Sequence, residues 1–155
     1  MPKTISHMLF NLTTASTILK LLGTPYNQIL PTSMATLIVD WLIDLGHGDN
    51  GRSAITHSIA TAPLIALTSY IMIEYFIGAV GLETILPIDS NLLLTMLVYA
   101  SLTHLFWDYT TYQGIHVPLI GWVSLSDAES QGALANIPPI ILSLACVFFF
   151  WAGRV

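Results

Sequence analysis

The stretch HSIATAPLIALTSYIMIEYFIGAVG, residues 57–81, is an almost continuous apolar run with one charged side chain, Glu74. A helix needs about 20 apolar residues to cross the hydrocarbon core of a bilayer, and this run is long enough. Four further apolar segments lie around it, at residues 8–22, 30–45, 91–108 and 134–152. Gly, Pro, Asn and Asp, which interrupt helices, separate the segments. The pattern predicts an all-α bundle of about five hydrophobic helices in a single domain, 1–155.

The composition of the chain agrees with a domain integral to the cell membrane. Of its 155 residues 54% are hydrophobic and 8% are charged, and its mean hydropathy is +0.73. A soluble domain carries about 25% charged residues. Segments 8–22 and 30–45 are marginal as independent spans, so we expect them to pack against the others. Nine acids against four bases give a net charge of -5, and without a basic patch no nucleic-acid partner is expected.

The ionisable side chains gather at particular ends of these segments. If the five helices alternate in direction, the start of the first, the end of the second, the start of the third and the end of the fourth meet at one membrane face. These ends carry His7, Asp40, Asp44, His47, Arg52, His57, His104 and Asp108. The opposite face receives Glu83 and Asp89 but no histidine. Alternation alone therefore predicts a polar cluster at one face.

Spacing and chemistry indicate that this cluster is a metal site. His104 and Asp108 are four residues apart, as are Asp40 and Asp44, so each pair projects from one face of its helix. Imidazole nitrogen and carboxylate oxygen are usual ligands of zinc and similar ions. Three acids at membrane depth need compensation, and one arginine cannot balance them. We expect one or two divalent ions, with zinc as the first choice and manganese as the alternative.

Some polar residues have simpler interpretations. We expect His116, in a loop with Gly and Pro, to be an interfacial or hydrogen-bonded residue, and Asp49 to be a solvated turn residue. Ser58 beside His57 does not indicate a serine hydrolase, because adjacent side chains on a helix point apart. Arg52 also suits an anchor at headgroup level. For the cluster as a whole, the alternative to a metal site is a buried polar network that joins the helices.

Four motifs follow one another along the chain: T-I-S-H at 4–7, D-L-G-H at 44–47, R-S-A-I-T-H-S at 52–58 and H-L-F-W-D-Y-T-T-Y-Q-G at 104–114. Their series resembles the predicted membrane-bound metal-dependent hydrolases of the YdjM-like group, and most of all its small archaeal-type branch. That group is distantly similar to zinc-dependent phospholipases C and single-strand nucleases, which are helical and bind several zinc ions through His and Asp.

The resemblance implies a phosphoester hydrolase whose metal ligands match His7, Asp44, His57, His104 and Asp108. One position departs from the pattern of bacterial relatives, which usually carry D-x-D-H. Gly46 replaces the second acid of that motif. Either Asp40, one turn earlier, compensates for the missing carboxylate, or one metal position is lost.

Residues and resemblance together lead to a membrane-bound, metal-dependent hydrolase of a phosphoester such as a phospholipid, with membrane lipid as its partner. Asp44, His57, His104 and Asp108 are expected as core ligands, with His7 and His47 as further ligands. Arg52 is expected to contact substrate phosphate, and Asp40 to orient a ligand or act as a general base. The alternatives are a non-catalytic, metal-stapled membrane scaffold or assembly protein and, less favoured, a metal or proton carrier. Membrane orientation and oligomeric state stay open.

Overall fold

The structure, a computed structural model, describes residues 4–48, 51–83, 85–111, 113–125 and 136–152. Within these ranges the chain is mainly helical. Its elements are α1 (Thr4–Leu21), α2 (Tyr26–Asp44), β1 (His47–Gly48), β2 (Gly51–Arg52), α3 (Ala62–Val80), α4 (Ser90–Tyr109), β3 (Ile115–Val117), β4 (Gly121–Val123) and α5 (Ile137–Ala152). The five predicted apolar segments correspond to the five helices.

Two short antiparallel hairpins, β1–β2 and β3–β4, add to the predicted all-α fold. The first joins α2 to α3, and the second follows α4. Both occupy stretches that the sequence indicated only as breaks between helices. Strands of two or three residues are too short for an alternating apolar pattern, so periodicity does not reveal them.

The third helix begins later than predicted, at Ala62 instead of His57. Thr61 is its N-cap residue and Pro63 lies in its first turn, where the missing N–H of proline costs no helical hydrogen bond. His57 therefore belongs to the turn before α3. The argument that His57 and Ser58 point apart because they share a helix is wrong for the same reason.

Helix α4 contacts α1, α2 and α3, while α5 packs against α1. The main core cluster joins the middle parts of α2, α3 and α4. Its buried members are Ala35, Val39, Ile43, Ala66, Ile73, Ile77, Leu93, Leu97 and Ala100. The cluster contains three alanines among larger side chains and joins the helices whose ends carry the polar residues.

Within the described ranges, α3 and α4 are long and apolar enough to cross a membrane, by length and composition. They differ in what surrounds them, because 22% of the residues in the apolar window of α3 are buried inside the protein, against 44% for α4. The outward face of α3 carries exposed Leu64, Ile71, Tyr75 and Phe76. Contiguous exposed apolar surface of this kind marks interaction or membrane-facing sites.

Candidate metal centre

Five predicted ligand residues converge where α1 begins and where α2 and α4 end. Nε2 of His104 lies 3.4 Å from Oδ1 of Asp44 and 3.4 Å from Oδ2 of Asp108. Nε2 of His57 lies 3.5 Å from the same Asp108 oxygen, and Nε2 of His7 lies 3.9 Å from its Oδ1. All but Asp44 are buried. The alternating helix directions thus bring together nitrogen and oxygen atoms from four separate parts of the chain.

The separations between these atoms fit the ligand shell of a small divalent ion. Ligand atoms about 2.0–2.2 Å from a shared tetrahedral ion lie about 3.3–3.6 Å from one another. The contacts among Asp44, His57, His104 and Asp108 are 3.4, 3.4 and 3.5 Å. Nε2 of neither His57 nor His104 makes a hydrogen bond to a described residue. These three separations are therefore compatible with atoms that share one ion.

His57 presents a neutral imidazole to this centre. Its burial lowers the pKa from 6.5 to about 4, so at neutral pH the ring keeps a lone pair for a metal. Its Nδ1 lies 2.9 Å from Oγ1 of Thr56. Two backbone contacts with β3 hold it as well: His116 N–H donates to the His57 carbonyl at 2.8 Å, and Ile59 N–H donates to the His116 carbonyl at 3.3 Å. The hairpin thus positions a ligand that no helix carries.

Asp40 lies behind His104. Because a carboxylate oxygen accepts, Nδ1 of His104 donates to Oδ1 of Asp40 at 2.8 Å, which leaves the Nε2 lone pair directed to the cluster. The Asn11 amide donates to the same oxygen at 2.7 Å, and Thr103 Oγ1 donates to Asn11 Oδ1 at 2.5 Å. Carboxylate–histidine contacts of this kind orient metal ligands in known sites.

Arg52 binds the end of α4. Its Nη2 donates to Oδ1 of Asp108, and its Nη1 donates to Thr111 Oγ1 at 2.9 Å and to the Gly114 carbonyl at 2.8 Å. The side chain is 2% exposed. This geometry does not support the expectation that Arg52 contacts a substrate phosphate, because protein atoms already occupy both terminal nitrogens. It places Arg52 as a residue that positions Asp108.

Two groups of ligand atoms lie close enough to hold an ion, and they overlap. One comprises His7, His104 and Asp108, the other Asp44, His57 and His104, with all atoms of each group within 4.8 Å of one another. Both use His104, whose Nδ1 is bound to Asp40. The single lone pair left on Nε2 of His104 cannot bind two ions at once. The described residues therefore fit one shared ion better than two.

His47 and Asp44 form the more open side of the cluster. The His47 side chain is 31% exposed and that of Asp44 is 13% exposed, with Nδ1 of His47 at 3.2 Å from Oδ1 of Asp44. The His47 ring centroid lies 4.6 Å from that of His57, but His47 belongs to neither group of ligand atoms. Its position is at the edge of the site and not within the ligand shell.

Gly46, the departure from the D-x-D-H pattern, has a local explanation. A Cβ atom at this position would lie 1.9 Å from Oγ1 and 2.8 Å from Cβ of Thr56. No acid fits there unless Thr56, which contacts His57, moves. Glycine at 46 thus accommodates the side chain that supports His57, and the carboxylate of Asp40 enters the site from another direction, through His104.

Sequence reasoning missed several residues that complete the site. Asn11 lies one helical turn after His7 in an apolar helix, and that spacing was a usable signal. Thr111 and Gly114 bind Arg52, but no local pattern connects them with residue 52. His116 belongs to neither ligand group, and its ring contacts Trp122. Asp49 lies outside the described residues.

A scan against protein-family models and searches of curated proteins and solved structures found no match. The resemblance to the YdjM-like hydrolases accordingly stays an expectation that rests on the four motifs. The geometry adds an independent observation, because residues of all four motifs supply the cluster: His7, Asp44, His57, His104 and Asp108.

Proposed function

We propose that the protein is an integral membrane hydrolase that uses one divalent ion, with zinc as the first choice and manganese as the alternative, to cleave a phosphoester such as a phospholipid. The observation that carries the proposal is the set of 3.4–3.5 Å contacts among Asp44, His57, His104 and Asp108. A divalent ion in such a site activates water and polarises a phosphoryl oxygen.

In this proposal some residues bind the ion and others hold those ligands in place. Asp44, His57, His104 and Asp108 hold the ion, and His7, whose ring centroid lies 4.2 Å from that of His104, is a further ligand from α1. Asp40 and Arg52 keep His104 and Asp108 in place through the hydrogen bonds described above. A substrate reaches the site from the side of Asp44 and His47, which is the least buried.

A membrane location determines the substrate class in this proposal. The apolar lengths of α3 and α4 and the outward apolar face of α3 support insertion in a bilayer. The metal cluster lies where α4 ends and just before α3 begins, which is the level of the lipid headgroups if both helices span. The phosphoester within reach at that level is the phospholipid headgroup itself.

The first test is elemental analysis of the full chain, purified in detergent without added metal. We expect about one equivalent of zinc or manganese in the wild type, and its loss in the His57→Ala/His104→Ala double variant. His116→Ala is the matched control, since this histidine belongs to neither ligand group, and it should keep the ion. A folded wild type that holds no ion after reconstitution with zinc would leave a polar network and no metal site.

The second test measures hydrolysis. Dispersed short-chain phosphatidylcholine and a chromogenic phosphodiester would be supplied to the metal-loaded protein. Asp108→Asn, which keeps the shape of the side chain and removes its charge, should abolish turnover while circular dichroism stays unchanged. Turnover that is equal in the variant and the wild type would contradict the proposed role of Asp108.

One observation favours a second function, a metal-stapled scaffold without catalysis. His57 and His104 are completely buried and Asp108 nearly so, and a fully enclosed ion stabilises a fold without offering a position for substrate. In that case the protein would retain its ion against a chelator, lose stability when the ion is removed and hydrolyse neither phosphoester.

A further inference from the structure

The β3–β4 hairpin presents apolar side chains to its surroundings at the same end of the molecule as the metal cluster. Leu119 is fully exposed, Ile120 is 74% exposed, and Trp122 and Leu125 are exposed as well. The stretch from 114 to 125, GIHVPLIGWVSL, contains no acid, lysine or arginine. Turns in water are dominated by Gly, Pro, Asn, Asp and Ser. Pro118 and Gly121 follow that rule, but the two exposed residues between them, Leu119 and Ile120, indicate an apolar environment.

The backbone of the turn strengthens that indication. Leu119 has φ 70°, a left-handed conformation in which Gly and Asn are far more common than a branched apolar residue. The turn closes with a hydrogen bond from Ile120 N–H to the Val117 carbonyl at 3.1 Å. The turn thus holds a large apolar side chain outward at a backbone conformation that favours glycine, and this side chain stabilises the fold only where apolar surroundings cover it.

The hairpin is attached to the ends of the two candidate membrane spans. Ile115 packs with Ala62, the first residue of α3, and with Leu105 in the last part of α4. The N–H of Leu125 donates to the carbonyl of Tyr109, the last residue of α4, at 2.8 Å. If α3 and α4 cross the bilayer, the hairpin lies at the boundary between headgroups and acyl chains, where Trp side chains such as Trp122 are enriched.

From this geometry we infer that the hairpin tip, formed by Leu119, Ile120 and Trp122, inserts into the lipid surface and holds the metal centre against phospholipid headgroups. The link is direct, because the backbone of His116 in β3 bonds to His57 and to Ile59. This inference rests on the membrane location in the proposed function and extends it. The occupant of the apolar surface is lipid, and no second protein is needed.

The test measures the depth of the tip in phosphatidylcholine vesicles that contain the full chain. In a Cys146→Ser background, an environment-sensitive fluorophore is placed at Leu119→Cys, and quenching by lipids brominated near the headgroup is compared with quenching by iodide present on both sides of the bilayer. We expect strong quenching by bromolipid and little by iodide. Glu83→Cys, an exposed position in the loop between α3 and α4, is the aqueous control and should show the reverse.

A label at Ile71→Cys, on the outward face of α3, distinguishes failure of the hairpin inference from failure of the membrane location. If bromolipid quenches the label at 71 but iodide quenches the label at 119 as fully as that at 83, the span holds and the hairpin inference fails. If neither label meets lipid, the membrane location itself fails. A label at 119 that neither quencher reaches would show that protein covers the tip, and would overturn the inference too.

Leu119→Asn adds a functional readout, because asparagine suits the left-handed turn and the fold should survive. We expect unchanged zinc content and unchanged turnover of a soluble phosphodiester, together with reduced turnover of vesicle phosphatidylcholine. An equal effect on both substrates would indicate damage to the site instead of loss of lipid contact, and would count against the inference.

Discussion

Helices α3 and α4 are similar in length and both are apolar enough to span a bilayer, yet their surroundings and their buried faces differ. The buried face of α4 is apolar at Leu93, Leu97 and Ala100 and becomes polar at His104 and Asp108. Three other helices surround it. The buried face of α3 is narrow and the rest of its surface, apolar as well, points outward.

The difference shows how a small apolar domain accommodates charged groups on one of its helices. Ionisable groups in apolar surroundings are costly unless they are paired or coordinated. His104 and Asp108, on the last turns of α4, both have partners from other elements: Asp40 for His104 and Arg52 for Asp108. Helix α3 has Glu74 in its second half, where it accepts a hydrogen bond from Ser90. The two helices are thus distinguished by burial among partners, with 44% of the apolar window of α4 buried against 22% of that of α3, as well as by the higher hydropathy of α3.

The largest effect is expected when the charge balance at the end of α4 is broken. Arg52→Ala leaves Asp108 buried without its arginine, which should lower the free energy of unfolding by about 3–5 kcal/mol. Chemical unfolding in detergent, followed by circular dichroism in metal-free buffer, measures this loss. Added zinc should recover part of it by supplying positive charge.

Lys20→Ala is the control for Arg52→Ala. Lys20 lies at the other end of the bundle and donates to the Phe150 carbonyl at 2.7 Å, and such contacts at helix ends are worth about 0.3–1 kcal/mol. Equal losses in the two variants would show that the end of α4 is no more sensitive to charge than the opposite end of the bundle.

The next effect concerns the outward face of α3. Ile71 is the central residue of this helix and is exposed, so Ile71→Asp should oppose insertion by about 2.5–3.5 kcal/mol. The fraction that stays in the membrane after alkaline carbonate extraction should fall, while Ile71→Ala should behave as the wild type. A soluble, folded wild type that tolerates Ile71→Asp would instead make α3 a surface helix of a soluble protein.

Much of this arrangement follows from apolar segment lengths and from alternation of direction. These two features predicted five helices and a cluster that contains His7, Asp44, His104 and Asp108, because each of these residues lies at a helix end. The same two features also predicted His57 as a member of the cluster, but they placed it at the start of a helix. It lies instead in the turn before α3, where hydrogen bonds with residue 116 hold it, a contact that no local pattern encodes.

The partners of the charged residues were also out of reach from the sequence. Arg52 had several acids within topological reach, and a preference for phosphate is a general property of its guanidinium. Only the folded chain shows Asp108, Thr111 and Gly114 around it. Gly46 looked like a lost ligand, whereas the close approach of Thr56 explains it as a steric requirement.

Asp40→Asn should have a smaller effect, confined to metal affinity. Removing the charge behind His104 weakens the orientation and basicity of that ligand, and losses of this kind reduce affinity by about 10–100-fold. Titration of zinc into the metal-free protein measures it. Asp89→Asn is the same substitution at the other end of α4, where asparagine caps a helix as well as aspartate does. If the two variants bind zinc equally, Asp40 does not act on the ion through His104.

The smallest effect on binding is expected for His47→Ala, because His47 is 31% exposed and contacts Asp44 of its own segment. Zinc affinity should fall by less than about tenfold, below the usual effect of losing a residue that orients a ligand. Turnover is the sharper measurement. A residue at the open edge of a catalytic site contacts the substrate, so hydrolysis should fall further than zinc binding does.

If zinc binding is lost entirely, His47 is a core ligand and the open edge lies elsewhere. If binding and turnover both stay at wild-type values, substrate does not enter beside Asp44, and the enclosed, scaffold-like interpretation of the centre gains weight.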